Sequence, residues 1–186
     1  MVEADDAYTG SHSRAVVDLA IAVAERLSVS PEERRLTELV ALLHDVGKIR
    51  IPKEIIQKPG ALTALERAIV EQHTIEGQAL LSTVGGVLAE VGTLVRSCHE
   101  RWDGHGYPDG LASEQIPLVA RIVCCSDAFD AMTSDRPYRR ALPIVEAVAE
   151  LHRCSGTQFD PAIVEAVIAE IVESGRIDAA SAQRVA

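Results

Sequence analysis

Leu39-Val40-Ala41-Leu42-Leu43-His44-Asp45-Val46-Gly47-Lys48 is an apolar helical run that ends in a histidine, an aspartate, a glycine and a lysine. Buried charge is costly unless it is paired or bound to a metal. An isolated His-Asp at a helix end reads most simply as a polar cap. The rest of the chain changes that reading. His12, His73, His99 and Asp127 lie far away in sequence, yet each sits in a similar apolar helical setting. The expectation is a set of helices converging on a metal site built around His44 and Asp45.

Working outward from that stretch, the pattern is helical throughout. Ser30-Pro31-Glu32-Glu33 supplies an N-cap, a proline at the first helical position and a capping-box glutamate, so the second helix starts there and is expected to reach about Val46. Before it, Val16, Leu19, Ala20, Val23, Ala24 and Leu27 recur at helical spacing and predict a first helix from about Ser11 to Leu27, with His12 on the same stripe. Residues 1–10 are polar and aperiodic and read as a linker or N-terminal extension; residues 11–186 read as one domain.

After Lys48 comes a connector, Ile49 to Gly60, punctuated by Pro52 and Lys58-Pro59-Gly60, with one helical turn at Lys53–Ile56. Thr63-x-x-Glu66 is a second capping box and opens a helix whose face carries Ile69, Val70 and His73. Thr74 to Leu81 either continues it or forms a separate helix. Gly85-Gly86 breaks the pattern before a helix over about Val87 to Cys98. Glu100 to Pro117 is a glycine- and proline-rich loop, and a loop of that length inside a domain usually carries function. Further helices are expected at Leu118–Thr133, with Asp127 and Asp130 on it, at Ile144–Cys154, from Asp160-Pro161 to Glu173, and near Asp178–Arg184. No strand-period run occurs. The fold class is all-α, a single-domain helical bundle with the metal centre between its helices.

Composition narrows the function. The 186 residues suffice for a sizeable core, and 47% hydrophobic with 25% charged residues is ordinary for a globular protein. Aromatics are only 3%, so the core is aliphatic. A net charge of −10 argues against a nucleic-acid polymer as partner but leaves room for a small anionic substrate, because bound cations and a few local basic residues reverse the sign of one pocket. No stretch has the length of a membrane span. The start of the chain is acidic rather than basic-then-apolar, so no leader is expected. The four cysteines have no zinc-type spacing and read as free thiols in a reducing, cytoplasmic setting.

Imidazole with carboxylate suits first-row metals such as Fe, Mn, Co or Zn. Asp45 has two oxygens and could bridge two ions, and paired ions about 3.5–4 Å apart activate water and clamp a phosphoryl oxygen. Lys48 and the basic loop Arg136-Pro137-Tyr138-Arg139-Arg140 offer phosphate contacts.

Taken together, these blocks resemble the HD-GYP domains of the HD superfamily. The resemblance runs from Thr9-Gly-Ser-His12 through His44-Asp-Val-Gly-Lys48, Ile51-Pro52, Lys58-Pro-Gly60, His73, His99-Glu-Arg-Trp-Asp-Gly-His-Gly-Tyr-Pro108, Ile116-Pro117, Ala120-Arg121, Asp127-Ala-Phe-Asp130 and Arg136-Pro-Tyr138 to Ser155-Gly-Thr-Gln-Phe-Asp-Pro161. It implies a metal-dependent phosphodiesterase that opens cyclic di-GMP to pGpG and, in some members, cuts on to GMP. It implies two divalent ions, Fe or Mn first among them. His12, His44, Asp45 and Asp127 would hold one. Asp45, His73, residue 98 and His99 would hold the other. Asp45 and Lys48 would be the catalytic residues. Lys48, Arg136 and Arg139 would contact substrate phosphates, Asp130 would support the site, and Gly106-Tyr107-Pro108 would line the pocket or form a partner surface. Such domains are commonly joined to receiver, sensor or GGDEF-type domains, and a homodimer is open.

Two residues depart from the family pattern. Cys98 stands where a histidine is usual. As a thiolate it binds metal and favours softer ions; as a thiol it is a core residue and the second ion loses a ligand. That substitution raises an alternative, a module that binds cyclic di-GMP or a protein partner without cutting. Tyr8 stands where three-metal members carry a glutamate, so two ions are expected rather than three. A hydrolase for another nucleotide is disfavoured by the Gly-Tyr-Pro loop and Arg136-Pro137-Tyr138. His105, between glycines, is expected to be exposed, His152 to be structural, Cys124 and Cys125 to be core thiols, and Arg101 and Trp102 to fix the loop.

Overall fold

The computed structural model describes residues 3–135 and 140–185, with side chains from residue 14 onward. His12 and Tyr8 therefore lie outside the described side chains, and Arg136 and Arg139 outside the described residues. Among the described residues the chain is helical, with one isolated bridge between Ser155 and Phe159. In chain order the helices are α1 (Glu3–Arg26), α2 (Pro31–Leu43), α3 (Lys53–Ile56), α4 (Ala64–Glu71), α5 (His73–Val84), α6 (Val87–Arg96), α7 (Leu118–Thr133), α8 (Ile144–Cys154), α9 (Pro161–Glu173) and α10 (Ala179–Gln183). A 3-10 turn spans Val46–Arg50 between α2 and α3.

The middle of the bundle is α7. Ile122, Val123, Cys125, Ser126 and Phe129 are fully buried on it, more than one face of a surface helix would be, so it is covered on several sides. α1, α2, α8 and α9 pack on it. From α1 the stripe Val16, Ala20, Val23 and Ala24 is fully buried, the i, i+4, i+7 set expected from the sequence. Val40 and Ala41 of α2 join it, as do Val91 and Val95 of α6 and Val164, Val167 and Ile171 of α9.

The caps behave as their chemistry requires. Ser30 and Glu33 form a complete capping box on α2, and Thr63 and Glu66 form another on α4. The Asp160 carboxylate accepts from the Ala162 amide at 2.9 Å and caps α9. Its other oxygen takes the Arg121 guanidinium at 2.5 Å, a tie between α7 and α9 that local sequence does not reveal. Gly85, at φ 79°, ends α5 with a backbone conformation that other residues rarely adopt.

Several expected boundaries move, the end of α6 from about Cys98 to Arg96 among them. α1 is already helical at Glu3, well before the expected start near Ser11. His73 begins α5 rather than ending α4, because the chain bends at Gln72. α2 stops at Leu43 rather than Val46. The cause of that last change is packing. Gly47 sits against the start of α5 so closely that a Cβ there would fall 1.9 Å from the His73 carbonyl oxygen. The helix gives way to a 3-10 turn, so His44 and Asp45 stand at the bend and not within one continuous helix to Val46.

Candidate metal centre

Five groups meet at the bend. His44 is 2% exposed and follows α2, with its ring Nδ1 2.8 Å from the Ala41 carbonyl oxygen. His73 is also buried, and its Nδ1 lies 2.7 Å from the Val70 carbonyl oxygen. A carbonyl only accepts, so each Nδ1 carries a proton, and in the neutral ring each Nε2 presents a lone pair. Holding a ligating imidazole by its other nitrogen is what orients histidines at metal sites.

Asp45 lies between the two rings. Its Oδ2 is 3.6 Å from His44 Nε2 and its Oδ1 is 3.6 Å from His73 Nε2. Asp127, on α7, places Oδ1 3.7 Å from His44 Nε2. His99 comes from the loop after α6. One ligand atom each from Asp45, His73 and His99 lies within 4.8 Å of the others. Metal bonds of about 2.0–2.2 Å put ligand atoms of one ion roughly 3–3.6 Å apart, so these three would draw closer together around a bound ion.

Four polar atoms in this hollow are buried without a hydrogen-bond partner: His44 Nε2, Asp45 Oδ1, His73 Nε2 and His99 Nε2. Each such atom costs about 1–3 kcal/mol, and native interiors leave few of them. Four gathered in one place make a donor set for cations once each imidazole Nε2 is deprotonated. The residues present therefore fit divalent metal.

Electrostatics agrees for Asp45, His73 and His99. Burial would raise the Asp45 carboxyl, but the Lys48 ammonium and His44 outweigh it and hold it down at about 2. Lys48 Nζ sits 2.6 Å from Asp45 Oδ2. Burial pushes His99 down to about 4 and also lowers His73, so both rings are neutral, as metal ligation needs. Burial works against protonation of His44 too, but there the Asp127 and Asp45 carboxylates prevail and raise it.

Other expected residues fall around this centre. Cys98 is buried with its thiol directed at the Leu94 carbonyl oxygen, 3.6 Å away, and burial holds that thiol well above its ordinary range. It is not among the three residues whose ligand atoms cluster. Asp130 is buried on α7 and accepts from Ser134 Oγ at 3.2 Å. The Tyr107 ring stacks on His99, centroids 5.2 Å apart at 13°, so the Gly106-Tyr107-Pro108 loop does reach the centre. Cys124 and Cys125 are free thiols on α7. His105 is 83% exposed at its side chain. Arg101 pairs with Asp103 at 2.6 Å and the Trp102 amide donates to the Gln158 carbonyl at 3.2 Å, so both serve the loop.

Sequence reasoning missed Glu100, a buried carboxylate inside that loop, and the carbonyls of Ala41 and Val70. The glutamate left a signal, a charged residue directly after a ligand-type histidine. The carbonyls left none.

With the geometry in view, comparison with known proteins places the chain. The HD domain family matches residues 1–163, and the chain belongs to it as an HD-GYP domain. It is 44% identical over 168 residues to the cyclic di-GMP phosphodiesterase response regulator RpfG of Xanthomonas campestris, covering 90% of this chain and 44% of that one. It is 36% identical over 164 residues to a 3'3'-cGAMP-specific phosphodiesterase of Vibrio cholerae, covering 87% and 35%. A solved cyclic GMP-AMP specific phosphodiesterase from V. cholerae shares the fold, with a TM-score of 0.67 at 23% identity over 94% of this chain and 48% of that one. The chain thus spans less than half the length of these relatives. Among the described residues, no helix is long and apolar enough to cross a membrane.

Proposed function

We propose that this domain is a metal-dependent phosphodiesterase that opens cyclic di-GMP to pGpG. The observation that carries the reading is Asp45, whose two oxygens face two different histidines, each with an orphaned Nε2. In this reading His12, His44, Asp45 and Asp127 hold one ion, and Asp45, His73 and His99 hold a second. Nitrogen and oxygen donors suit Fe or Mn. Cys98 packs in the core instead of binding metal. Bound there, the ions would polarise the scissile phosphate and supply an activated water.

The protein's own residues do the rest. Asp45 is ionised at any working pH and holds both halves of the centre in register. Lys48 is a half-exposed cation: its side chain is 41% exposed and rests on Asp45, within reach of an incoming phosphate. Together with Arg136 and Arg139 it offsets the charge of the diester as the transition state develops. Gly106, Tyr107 and Pro108 wall the pocket, and Asp130 braces α7 beneath it. The relatives carry as much chain again outside the matched region, which fits a domain that works under a receiver, sensor or GGDEF-type partner in the cytoplasm.

The test is to load the protein with Mn or Fe under anaerobic, reducing conditions and offer cyclic di-GMP and 3'3'-cGAMP in parallel. Release of pGpG, followed by slower GMP or none, is the expected result. Faster cleavage of cGAMP would reassign the substrate. No turnover with two ions bound would overturn the reading in favour of a binding module. That second reading has one observation behind it: with Cys98 turned to Leu94, a second ion would have three protein ligands instead of four.

A further inference from the structure

Glu100 is 2% exposed, yet both of its oxygens are committed to the loop that follows. Oε1 accepts from the Asp109 amide at 2.7 Å and Oε2 from the Leu111 amide at 3.1 Å. Charge-assisted bonds of this kind are among the stronger ones, and inside a protein they fix a backbone firmly. Between these residues the loop folds back over its own start. The Tyr107 amide donates to the His99 carbonyl at 3.2 Å. A Cβ at Gly106 would fall 2.3 Å from the Arg101 nitrogen and 2.5 Å from the Glu100 Cα, so the two strands of the loop touch backbone to backbone.

The consequence reaches His99. His44 and His73 are oriented by their Nδ1 bonds to Ala41 and Val70. Among the described residues, no carbonyl holds the His99 ring in that way. It is held by rings instead: Tyr107 lies flat on one face at 5.2 Å, and His73 meets it edge-on at 4.8 Å and 70°.

We propose that Glu100 is a positioning residue for His99. By pinning Asp109 and Leu111 it keeps Tyr107 pressed on the His99 imidazole, and so aims His99 Nε2 at Asp45 and His73. This inference rests on the metal-centre reading above.

Cobalt(II) tests it, because its visible spectrum reports ligand geometry directly. Glu100→Gln keeps the side-chain shape but offers one acceptor oxygen, so one loop amide is left facing a donor. The expected result is a folded protein with an altered Co(II) spectrum and about tenfold weaker Co(II) binding, the scale of outer partners of metal ligands. Tyr107→Leu should reproduce the change, while Tyr107→Phe, which keeps the ring, should retain the wild-type spectrum. Folded Tyr107→Leu with wild-type spectrum and affinity overturns the inference, and this variant alone decides if Glu100→Gln fails to fold. A change confined to Glu100→Gln also overturns it, leaving Glu100 a loop residue only. Wild-type protein that takes up no Co(II) overturns the metal reading and this inference with it, which is distinct from wild type and variants binding alike.

Discussion

Asp45 Oδ1 lies 3.6 Å from His73 Nε2, although the two residues belong to different helical segments and neither is hydrogen-bonded to the other. The other oxygen of the same carboxylate faces His44 at the same distance. One side chain therefore connects the α2 end of the centre to α5. A carboxamide at this position keeps the size and loses the charge and one acceptor oxygen. Asp45→Asn should drop bound metal from about two ions per chain to fewer than one. Activity should fall further than the roughly 10–100-fold seen when outer partners of ligands are removed. Elemental analysis of anaerobically purified protein, alongside pGpG release, checks both. Full metal content in the variant would remove Asp45 from the bridging role.

Cys98 allows a cleaner decision than activity can give. A thiolate bound to Co(II) produces an intense sulfur-to-metal charge-transfer band in the near ultraviolet, and imidazole and carboxylate do not. With the thiol donating to Leu94, Co(II)-loaded protein should lack that band, and Cys98→Ala should leave the spectrum unchanged. Cys98→His should tighten the second ion. A band that disappears in Cys98→Ala would instead make Cys98 a ligand.

How far these features were legible in the sequence follows from the range of the forces involved. Helices α7, α8 and α9 run over the residues their periodicity and caps indicate, because an apolar stripe and a cap are local properties. The start of α1, the end of α2 and the choice between one helix and two at Gln72 were not. The 3-10 turn after Leu43 exists because Gly47 meets α5, a contact between segments that share no local pattern. The ligand-type residues His44, Asp45, His73, His99 and Asp127 could be named because metal chemistry restricts residue type. Glu100 left only the hint of a charge beside a ligand-type histidine; its role was not legible, since its two bonds go to backbone amides, which carry no sequence signature.

Glu66 gives a pH dependence with a defined sign. The Lys58 ammonium, and then the Thr63 amide and hydroxyl, hold its carboxyl down at about 2, against an ordinary value of 4.5. The unfolded segment therefore takes up a proton before the folded one as pH falls. The tie between the Lys58-Pro59-Gly60 turn and α4 is fully present above the ordinary range and is lost as pH drops through about 2. Hydrogen exchange at the Thr63 amide, which donates to Glu66 Oε2 at 2.7 Å, should stay protected to low pH. In Lys58→Met the protection should fail nearer the ordinary glutamate range. Equal profiles in the two proteins would show that Lys58 does not set it.

Gly47 and Gly77 face each other across the junction of the 3-10 turn and α5, and they should respond differently to the same substitution. A Cβ on Gly47 would fall 1.9 Å from the His73 carbonyl oxygen and 2.5 Å from the Gly77 nitrogen, both backbone atoms of α5. A helix backbone cannot yield locally, so α5 would have to move as a body, taking His73 away from Asp45. A Cβ on Gly77 meets first the Val95 Cγ1 at 3.1 Å, a side-chain methyl that a rotamer change can relieve. Gly47→Ala should therefore cost about 3 kcal/mol or more, at or beyond the usual upper end of overpacking, and should weaken metal binding with it. Gly77→Ala should cost about 1 kcal/mol and leave the centre intact. Urea unfolding of the metal-free proteins gives the first comparison and metal titration the second. If both variants lose stability equally while keeping metal affinity, the contact between Gly47 and α5 is not what holds His73 against Asp45.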